Sequence, residues 1–402
     1  MANAQSNVVK TKYIVEVTPG TTPASALTVL PVKTSNMVAQ VNNTTSQEIR
    51  SDRATADLVR TSAASTGDIG YELSFTDYAD FMESALGAAS TVFSGTASGT
   101  RTVLVNKSAI TISSSSVDNS LNDSGSGFVT AGITADSWVV FRGFAGANAV
   151  NNNKPCKVVS VTTAKVVLSH ITLVTEAAGA TVVIKGQSIT NGANKKTVSI
   201  EKQYTDLTTT FSSHKGMHVN TMTVNAASGA IVEGSFGFMG RDSAYGTTTI
   251  GTGADVVPAA TPIMSATANV GTIFIDGTAL STTFLKSINL STTNNTRQLD
   301  AIGNLYPIDV NLGTLGVTAA VQAYFNDSVQ INKFLNGTAF SLVWSFQDSA
   351  TNHTVIELPY CKFNTGTVTA ATLNSDVMQD LGVTALLSPT QNVMIRISFL
   401  PV

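Results

Sequence analysis

The sequence predicts a mainly β protein with two β-sandwich or barrel domains, each with one flanking helix, and a small all-β domain inserted into the first. Two observations support this fold class. Runs of alternating apolar and polar residues, typical of strands with one buried face, recur along the chain. The order of polar loop, strand and short helix occurs twice, which indicates an internal repeat.

The first copy of this order lies in the N-terminal quarter of the chain. Residues 42–66 are polar and carry charges of both signs, which predicts an extended loop. Residues 69–75 alternate apolar and polar side chains and are predicted to form a strand. Asp77 is expected to cap a helix over residues 78–86, and Gly87 is placed to end it.

The second copy lies in the C-terminal half of the chain. Alternation over residues 317–325 predicts its strand, Asn326 or Asp327 can cap a helix over 328–336, and Gly337 ends that helix. An Ile-Glu strand follows each helix, at 198–204 in the first copy and 355–360 in the second. The apolar side chains on or near one helix face are Val329, Ile331, Phe334 and Leu335.

Length differences between the copies define the predicted domains. Between its helix and the Ile-Glu strand, the first copy holds about ninety residues more than the second, enough for a small domain. Short alternating runs predict five or six strands there, between linkers at 94–100 and 186–194. The predicted units are a first domain at 1–100 and 188–245, an inserted domain at 101–187, a linker at 246–262 and a second domain at 263–402.

Composition narrows the class of protein. Charged residues make up 12% of the chain and apolar residues 43%, the balance of a folded β-rich protein and not of a disordered one. The net charge of −3 gives no basic footprint for tight nucleic-acid binding. Cys156 and Cys361 are expected to be free buried thiols, made in a reducing cytoplasm. Neither a signal peptide nor a membrane span is expected.

The sequence predicts no catalytic, cofactor-binding or metal-binding residue. His214 and His218 are four positions apart, but Gly216 lies between them in a loop-to-strand transition, which disfavours a metal site. The glycines of 246–251 lack the Lys-Ser/Thr pair of a phosphate-binding loop. The carboxylates around the first helix are expected to cap it or to lie on an exposed face or interface.

The charged part of the first loop is the one candidate functional site. A solvated loop is one interpretation of its interleaved charges, but apolar side chains among them favour docking on a neighbouring protein. The candidate interface residues are Glu48, Ile49, Arg50, Ser51, Asp52, Arg53, Asp57, Leu58 and Arg60.

Several motifs resemble those of the tail tube proteins, or major tail proteins, of long-tailed, non-contractile bacteriophages. The resemblance covers most of the chain outside the insertion, and the insertion itself is similar to a module common in that family. The matching motifs are SQEIRSDR at 46–53, DLV at 57–59, GDI at 67–69, ELSF at 72–75, Tyr78, ESALG at 83–87, SIEKQYTD at 199–206, GM at 216–217 and GSFGFMG at 234–240.

The resemblance implies a structural subunit of the virion tail, assembled in the host cytoplasm. Rings of subunits stack into a hollow conduit for genome delivery, and double-stranded DNA passes through without specific binding. The implied partners are other copies of the chain and the tape measure, tail terminator and distal tail proteins, with no cofactor and no membrane.

Six domains commonly surround such a tube, so a duplicated chain predicts a homotrimeric ring with pseudo-sixfold symmetry. A hexamer in which only one copy lines the lumen is the competing arrangement. The candidate interface residues would join successive rings, whereas the second copy carries Gly303 to Tyr306 in place of the charged loop. The insertion is expected to fold separately and project outward. A β-rich adhesin, a carbohydrate-binding surface protein and a carbohydrate-active enzyme are the alternatives.

Overall fold

The computed structural model describes residues 3–88, 105–207, 210–266, 271, 273–280, 284–370 and 372–401. These residues are mainly in β-strands, with two short α-helices among them, which confirms the predicted fold class. The linker expected at 94–100 lies outside the described residues.

The first repeat begins with five strands and one helix, and it resumes after the insertion with four strands. The first group is β1 Val9–Val15, β2 Thr28–Leu30, β3 Thr34–Ser35, β4 Val38–Thr45, β5 Leu58–Glu72 and α1 Ala79–Leu86. The second group is β13 Val198–Tyr204, β14 Phe211–Ala227, β15 Glu233–Gly240 and β16 Asp242–Gly246.

The described residues form seven strands in the inserted region and ten strands in the second repeat. The former are β6 Val105–Ala109, β7 Ile112–Ser115, β8 Ser120–Asp123, β9 Trp138–Arg142, β10 Cys156–Val161, β11 Lys165–Ser169 and β12 Val182–Thr190. The latter, with one helix, are β17 Phe274–Ile275, β18 Thr278–Ala279, β19 Leu285–Thr293, β20 Arg297–Leu299, β21 Asp309–Asn311, β22 Gly316–Tyr324, α2 Val329–Leu335, β23 Phe340–Gln347, β24 His353–Ala370, β25 Val377–Ala385 and β26 Arg396–Leu400.

The extended loop predicted at 42–66 is wrong, because most of that stretch is a β-hairpin. β4 pairs with β5 from Val38 opposite Thr66 to Thr45 opposite Leu58, and only residues 46–57 connect the two strands. Every residue of β4 is exposed, as are the first four of β5. Alternating hydrophobicity reports one buried face, so a hairpin that projects beyond the core shows no such pattern.

Helix α1 ends as predicted but is not capped as predicted. Gly87 has a left-handed φ of 59°, and its N–H bonds to carbonyls of the last turn. Asp77 does not cap the helix, because its carboxylate accepts hydrogen bonds from the hydroxyls of Ser74 and Thr261. That carboxylate instead ties the end of the preceding strand to the segment that leads into the second repeat.

The N-cap residue of α2 is Ser328, without a side-chain capping bond, and Asp327, one of the two predicted candidates, bonds to the first N–H of the helix from one position earlier. The Asp327 Oδ1 accepts a hydrogen bond of 2.9 Å from the N–H of Val329, and Gly337 follows the helix with φ 61°. The apolar face is only partly covered within the chain: Val329 is 52% exposed and Leu335 is 70% exposed. By contrast, α1 is buried over nearly its whole length.

One continuous antiparallel sheet joins the two repeats. Its strand order is β4-β5-β15-β14 from the first repeat, followed by β19-β22-β25-β24 from the second. The two halves meet where β14 pairs with β19, from Thr221 opposite Thr293 to Ala227 opposite Ser287. Because β4, β5, β15 and β14 correspond in order to β19, β22, β25 and β24, the sheet displays the internal repeat.

A matching β-bulge fixes the correspondence between the repeats residue by residue. β14 in the first repeat and β24 in the second each contain a bulge at one asparagine, which has no partner on the neighbouring strand. The threonine that follows this asparagine lies opposite a glycine. Both glycines leave room for that threonine, since a Cβ would overlap its hydroxyl. The corresponding residues are Asn220, Thr221 and Gly237 in the first repeat and Asn364, Thr365 and Gly382 in the second.

This register corrects the predicted match between the two Ile-Glu strands. Val198 pairs with Met217 on β14, and Phe340 pairs with Cys361 on β24, so β13 corresponds to β23. Glu357 lies instead on the first half of β24. The two Ile-Glu dipeptides therefore occupy positions that do not correspond, although each glutamate is the buried partner of a cationic side chain.

The inserted region has its own apolar core but does not stand free of the second repeat. Its seven strands exceed the five or six predicted. The linker expected at 186–194 is wrong, since β12 continues to Thr190 and its last residues pair with β26. The core residues are Ile112, Leu121, Phe128, Ile133, Val139, Phe141, Phe144, Cys156, Val158, Val166, Leu168, Leu173, Val182 and Ile184.

A buried charge cluster holds the insertion against the second repeat. The Glu357 carboxylate lies 2.6 Å from both Lys157 Nζ and an Arg396 guanidinium nitrogen, and it accepts a 2.8 Å hydrogen bond from the Trp138 indole. Burial opposes ionisation, but Arg396 and Lys157 more than offset it and lower the pKa of Glu357. We call Trp138, Lys157, Glu357 and Arg396 the junction cluster.

The segment between the repeats lies against the first repeat. No helix or strand forms between Gly246 and Phe274 in the described part of that segment. Lys12 lies 3.4 Å from Asp255, and Glu201 accepts hydrogen bonds from Thr249 and from the N–H of Ile250. These contacts fix the path of the chain into the second repeat.

Candidate functional site

The eight-stranded sheet has one apolar and one polar face. Side chains directly opposite each other across a ladder share a face. Ile69, Phe236 and Met222 form one such row and are fully buried against the helices and the second layer of strands. The adjacent row on the other face consists of Gly70, Ser235, Thr223, Ser291, Thr318 and Thr384.

Few charged side chains interrupt the polar face. Asp68 lies opposite Gly237 and is exposed, and Asp380 accepts a 2.8 Å hydrogen bond from the Gln322 amide. Glu72 lies opposite Glu233, which pairs with Lys33. Lys362, opposite Thr384, is a further cation on this face. The face is therefore a continuous surface of hydroxyls, amides and glycines with a small excess of negative charge.

The structure brings the predicted interface residues together at the tip of the β4–β5 hairpin. All of them are exposed, and the Ile49 side chain is completely so. Arg50 and Asp52 form an ion pair of 2.8 Å, which lowers the pKa of Asp52. Seven of the predicted residues lie in the connection, namely Glu48, Ile49, Arg50, Ser51, Asp52, Arg53 and Asp57, whereas Leu58 and Arg60 begin β5.

The corresponding hairpin of the second repeat does not project in the same way. β20 and β21 form a short ladder, and the loop between them folds back over the first repeat. The carbonyl of Leu305 accepts a 2.8 Å hydrogen bond from the N–H of Ala63, and the Tyr306 hydroxyl donates to the carbonyl of Ser243. Of these two corresponding connections, the one in the first repeat therefore projects from the sheet and the one in the second repeat folds back onto the first repeat.

Both ends of the eight-stranded sheet are unpaired edges, which the sequence did not reveal. β4 pairs only with β5, and residues 365–370 of β24 pair only with β25 among the strands described. These residues are almost all exposed. Unpaired edges of this length are templates for pairing with another strand. The run TGTVTA at 365–370, rich in β-branched residues, is the sequence signal that could have indicated a wall strand.

The two neighbouring histidines have structural roles. His214 lies between the hydroxyls of Ser65 and Ser212, at 2.7 and 3.0 Å, and His218 bonds to the carbonyl of Val219. Burial lowers the pKa of each imidazole to about 4, so both are neutral at pH 7. No cluster of metal-ligating side chains occurs in the part of the chain that the structure describes.

The carboxylates near α1 are also structural. Asp80 and Glu83 both pair with Lys196, and Asp80 accepts a 2.8 Å hydrogen bond from the Tyr13 hydroxyl. The cysteines are free and buried, as expected, and burial raises the pKa of both thiols. Among the described helices, none has the length and apolar character needed to cross a membrane.

A comparison with protein families agrees with this architecture. The sequence model of a family described as phage tail tube protein matches residues 6–385, nearly the whole chain. A search of curated proteins found no match. The match does not favour the adhesin and carbohydrate-binding alternatives. The chain therefore belongs to the phage tail tube protein family and is a structural, non-enzymatic component of the virion tail that assembles into a stacked tube.

Proposed function

We propose that three copies of this chain close into a ring with pseudo-sixfold symmetry, and that stacked rings form a conduit for genome delivery into the host. The observation that supports it is the eight-stranded sheet, to which each repeat contributes four strands in the same order. Three chains would supply about 24 strands, which at ~4.8 Å spacing and about 40° tilt give a barrel roughly 48 Å across. That diameter leaves room for a DNA duplex.

The shared sheet supports a trimer over a hexamer. In a hexamer with one repeat outside the wall, the second repeat would have to leave the sheet that the first repeat forms. Instead, seven opposed residue pairs of an antiparallel ladder join β14 to β19 within one chain. Both repeats therefore belong to one wall.

The polar face of the sheet would line the channel. Hydroxyl and amide side chains with acidic residues such as Asp68 and Asp380 offer DNA few of the Lys and Arg contacts that release counterions and hold it in place. The opposite face carries the helices, the second layer of strands and the insertion, which attaches through β26. The insertion would then lie outside the tube, against the second repeat.

The hairpin tip would join successive rings. Residues 46–57 project from the wall with an unpartnered apolar side chain, Ile49, among exposed charges of both signs. Because the corresponding loop of the second repeat is folded back, each ring of three chains would present three such tips. The contact between rings would then be threefold although the wall is pseudo-sixfold.

The further expected partners are the tape measure protein inside the tube and the tail terminator and distal tail proteins at its ends, in a long-tailed, non-contractile phage assembled in the host cytoplasm. The four units predicted from the sequence remain the proposed domain division. Electron microscopy of the purified protein tests the proposal: hollow tubes or rings support it, and isolated globules at all concentrations would refute it.

A further inference from the structure

The joint between the two repeats is a template for the joint between two chains. Within the chain, β14 of the first repeat pairs with β19 of the second. β24 is the second-repeat counterpart of β14, and β3–β4 is the first-repeat counterpart of β19. Both counterparts are the unpaired edges of the sheet. The pairing of β14 with β19 thus shows which strand covers each of these two edges when a partner strand is present.

The ladder registers make this correspondence quantitative. Thr221 corresponds to Thr365 through the matching bulges, and Thr293 corresponds to Gln40 through the ladders with β22 and β5. In the within-chain joint, Thr221 lies opposite Thr293 and Thr223 lies opposite Ser291. The same geometry places Thr365 opposite Gln40 of another chain.

We propose that residues 365–370 of β24 pair antiparallel with residues 35–40 of a second copy of this chain, and that this ladder closes the ring. The inference rests on the proposed function and specifies its interface. The expected opposed pairs are Thr365 with Gln40, Gly366 with Ala39, Thr367 with Val38, Val368 with Met37, Thr369 with Asn36 and Ala370 with Ser35.

Burial of corresponding apolar side chains supports this pairing. Val224 lies opposite Leu290 in the within-chain joint and is 2% exposed. Its counterpart Val368 is 40% exposed in the single chain. Pairing with Met37 of the next chain would remove Val368 from water, as Leu290 does for Val224.

The exposed face of α2 has the same explanation. At the within-chain joint, the Asn294 amide donates a 2.7 Å hydrogen bond to the carbonyl of Ala85, near the end of α1. By the same register, Val41 takes the place of Asn294 and Leu335 takes the place of Ala85. Both side chains are exposed in the single chain. In the proposed joint between chains, an apolar pair would thus lie where the within-chain joint has the hydrogen bond from Asn294 to the Ala85 carbonyl.

A second copy fits these edges better than an unrelated strand does. The edge of β24 and the edge of β3–β4 lie at opposite ends of one sheet. Their counterparts in the other repeat, β14 and β19, pair with each other within the chain. A head-to-tail contact between these edges generates a closed ring or an open filament, and no further described strand of the same chain pairs with either edge. The ladder leaves no free edge once the ring closes.

Disulfide crosslinking in assembled protein tests the register. Val38→Cys combined with Thr367→Cys places two thiols directly opposite each other, within the range of a disulfide. The offset control, Gln40→Cys with Thr367→Cys, moves one thiol by two residues, to about 7–8 Å between Cα atoms. Gln40→Cys with Thr365→Cys tests the same register if the first variant fails to assemble. Cys156 and Cys361 are buried and free in all variants.

For the opposed pairs, we expect oxidation to give covalent dimers and trimers, with no larger species, that disappear on reduction. The offset pair should crosslink at least tenfold less. Rings that form without this crosslink, or that crosslink equally through the offset pair, would overturn the proposed strand pairing but not the proposed function. A wild-type chain that forms neither rings nor tubes refutes the proposed function instead.

Discussion

Replacing Glu357 with glutamine should loosen the inserted domain from the second repeat and destabilise the chain strongly. The carboxylate is 1% exposed and neutralises Lys157 and Arg396, which are 12% and 8% exposed. Glutamine keeps the shape and can still accept from the Trp138 indole, but it leaves the nearly buried Arg396 without an anion and Lys157 with only Asp136, which lies 3.3 Å away and is 41% exposed. Breaking a buried ion pair in this way costs about 3–5 kcal/mol of unfolding free energy.

Urea denaturation measures this loss without the ionic screening that guanidinium would add. The two tryptophans report on the relevant regions, since Trp138 lies in the junction cluster and Trp344 in the core of the second repeat. Glu233→Gln is the matched control, because its partner Lys33 is about half exposed and the change should leave the urea midpoint unaltered. Equal midpoints for both variants would show that the junction cluster does not hold the insertion.

Three further predictions concern pH, stacking and ring closure. Lowering the pH from 7 to 5 should reduce the unfolding free energy by on the order of 4 kcal/mol. His214 and His218 have pKa values of about 4 in the folded chain and stay neutral over this range, whereas in the unfolded chain the same imidazoles protonate below about pH 6.5. An unfolding free energy that does not change with pH in urea titrations would contradict this. Deleting residues 48–53 should leave soluble subunits with unchanged melting temperature that no longer stack, and tubes of normal length in micrographs would refute the proposed contact. Leu335→Lys should leave stability unchanged but prevent ring closure in size-exclusion chromatography, whereas Val117→Lys, at a site on the insertion that is 95% exposed, should assemble normally. Identical behaviour of the two variants would argue against a role for α2.

The parts of the fold that the sequence predicted are those where one face is buried. Alternation over 69–75 predicted the buried part of β5 and alternation over 317–325 predicted β22, because apolar side chains there face one core. The glycines after both helices were predicted because a left-handed backbone favours that residue. Residues 42–61 gave no strand pattern, since both faces of the hairpin are exposed there.

The contacts between elements distant in sequence could not be predicted. The pairing of β14 with β19 follows from register, and nothing in either strand's composition specifies its partner. The junction cluster brings together Trp138, Lys157, Glu357 and Arg396 from four different strands. The candidate interface residues were predicted as a group because they are contiguous, whereas the sheet edges became visible only once the strand order was known.

A cryo-electron microscopy reconstruction of the assembled protein would show how many chains form a ring and which strands form its wall. We expect three chains per ring, a wall of eight strands from each chain and β24 of one chain beside β3–β4 of the next. Six chains per ring, or a second repeat that contributes no strand to the wall, would contradict it.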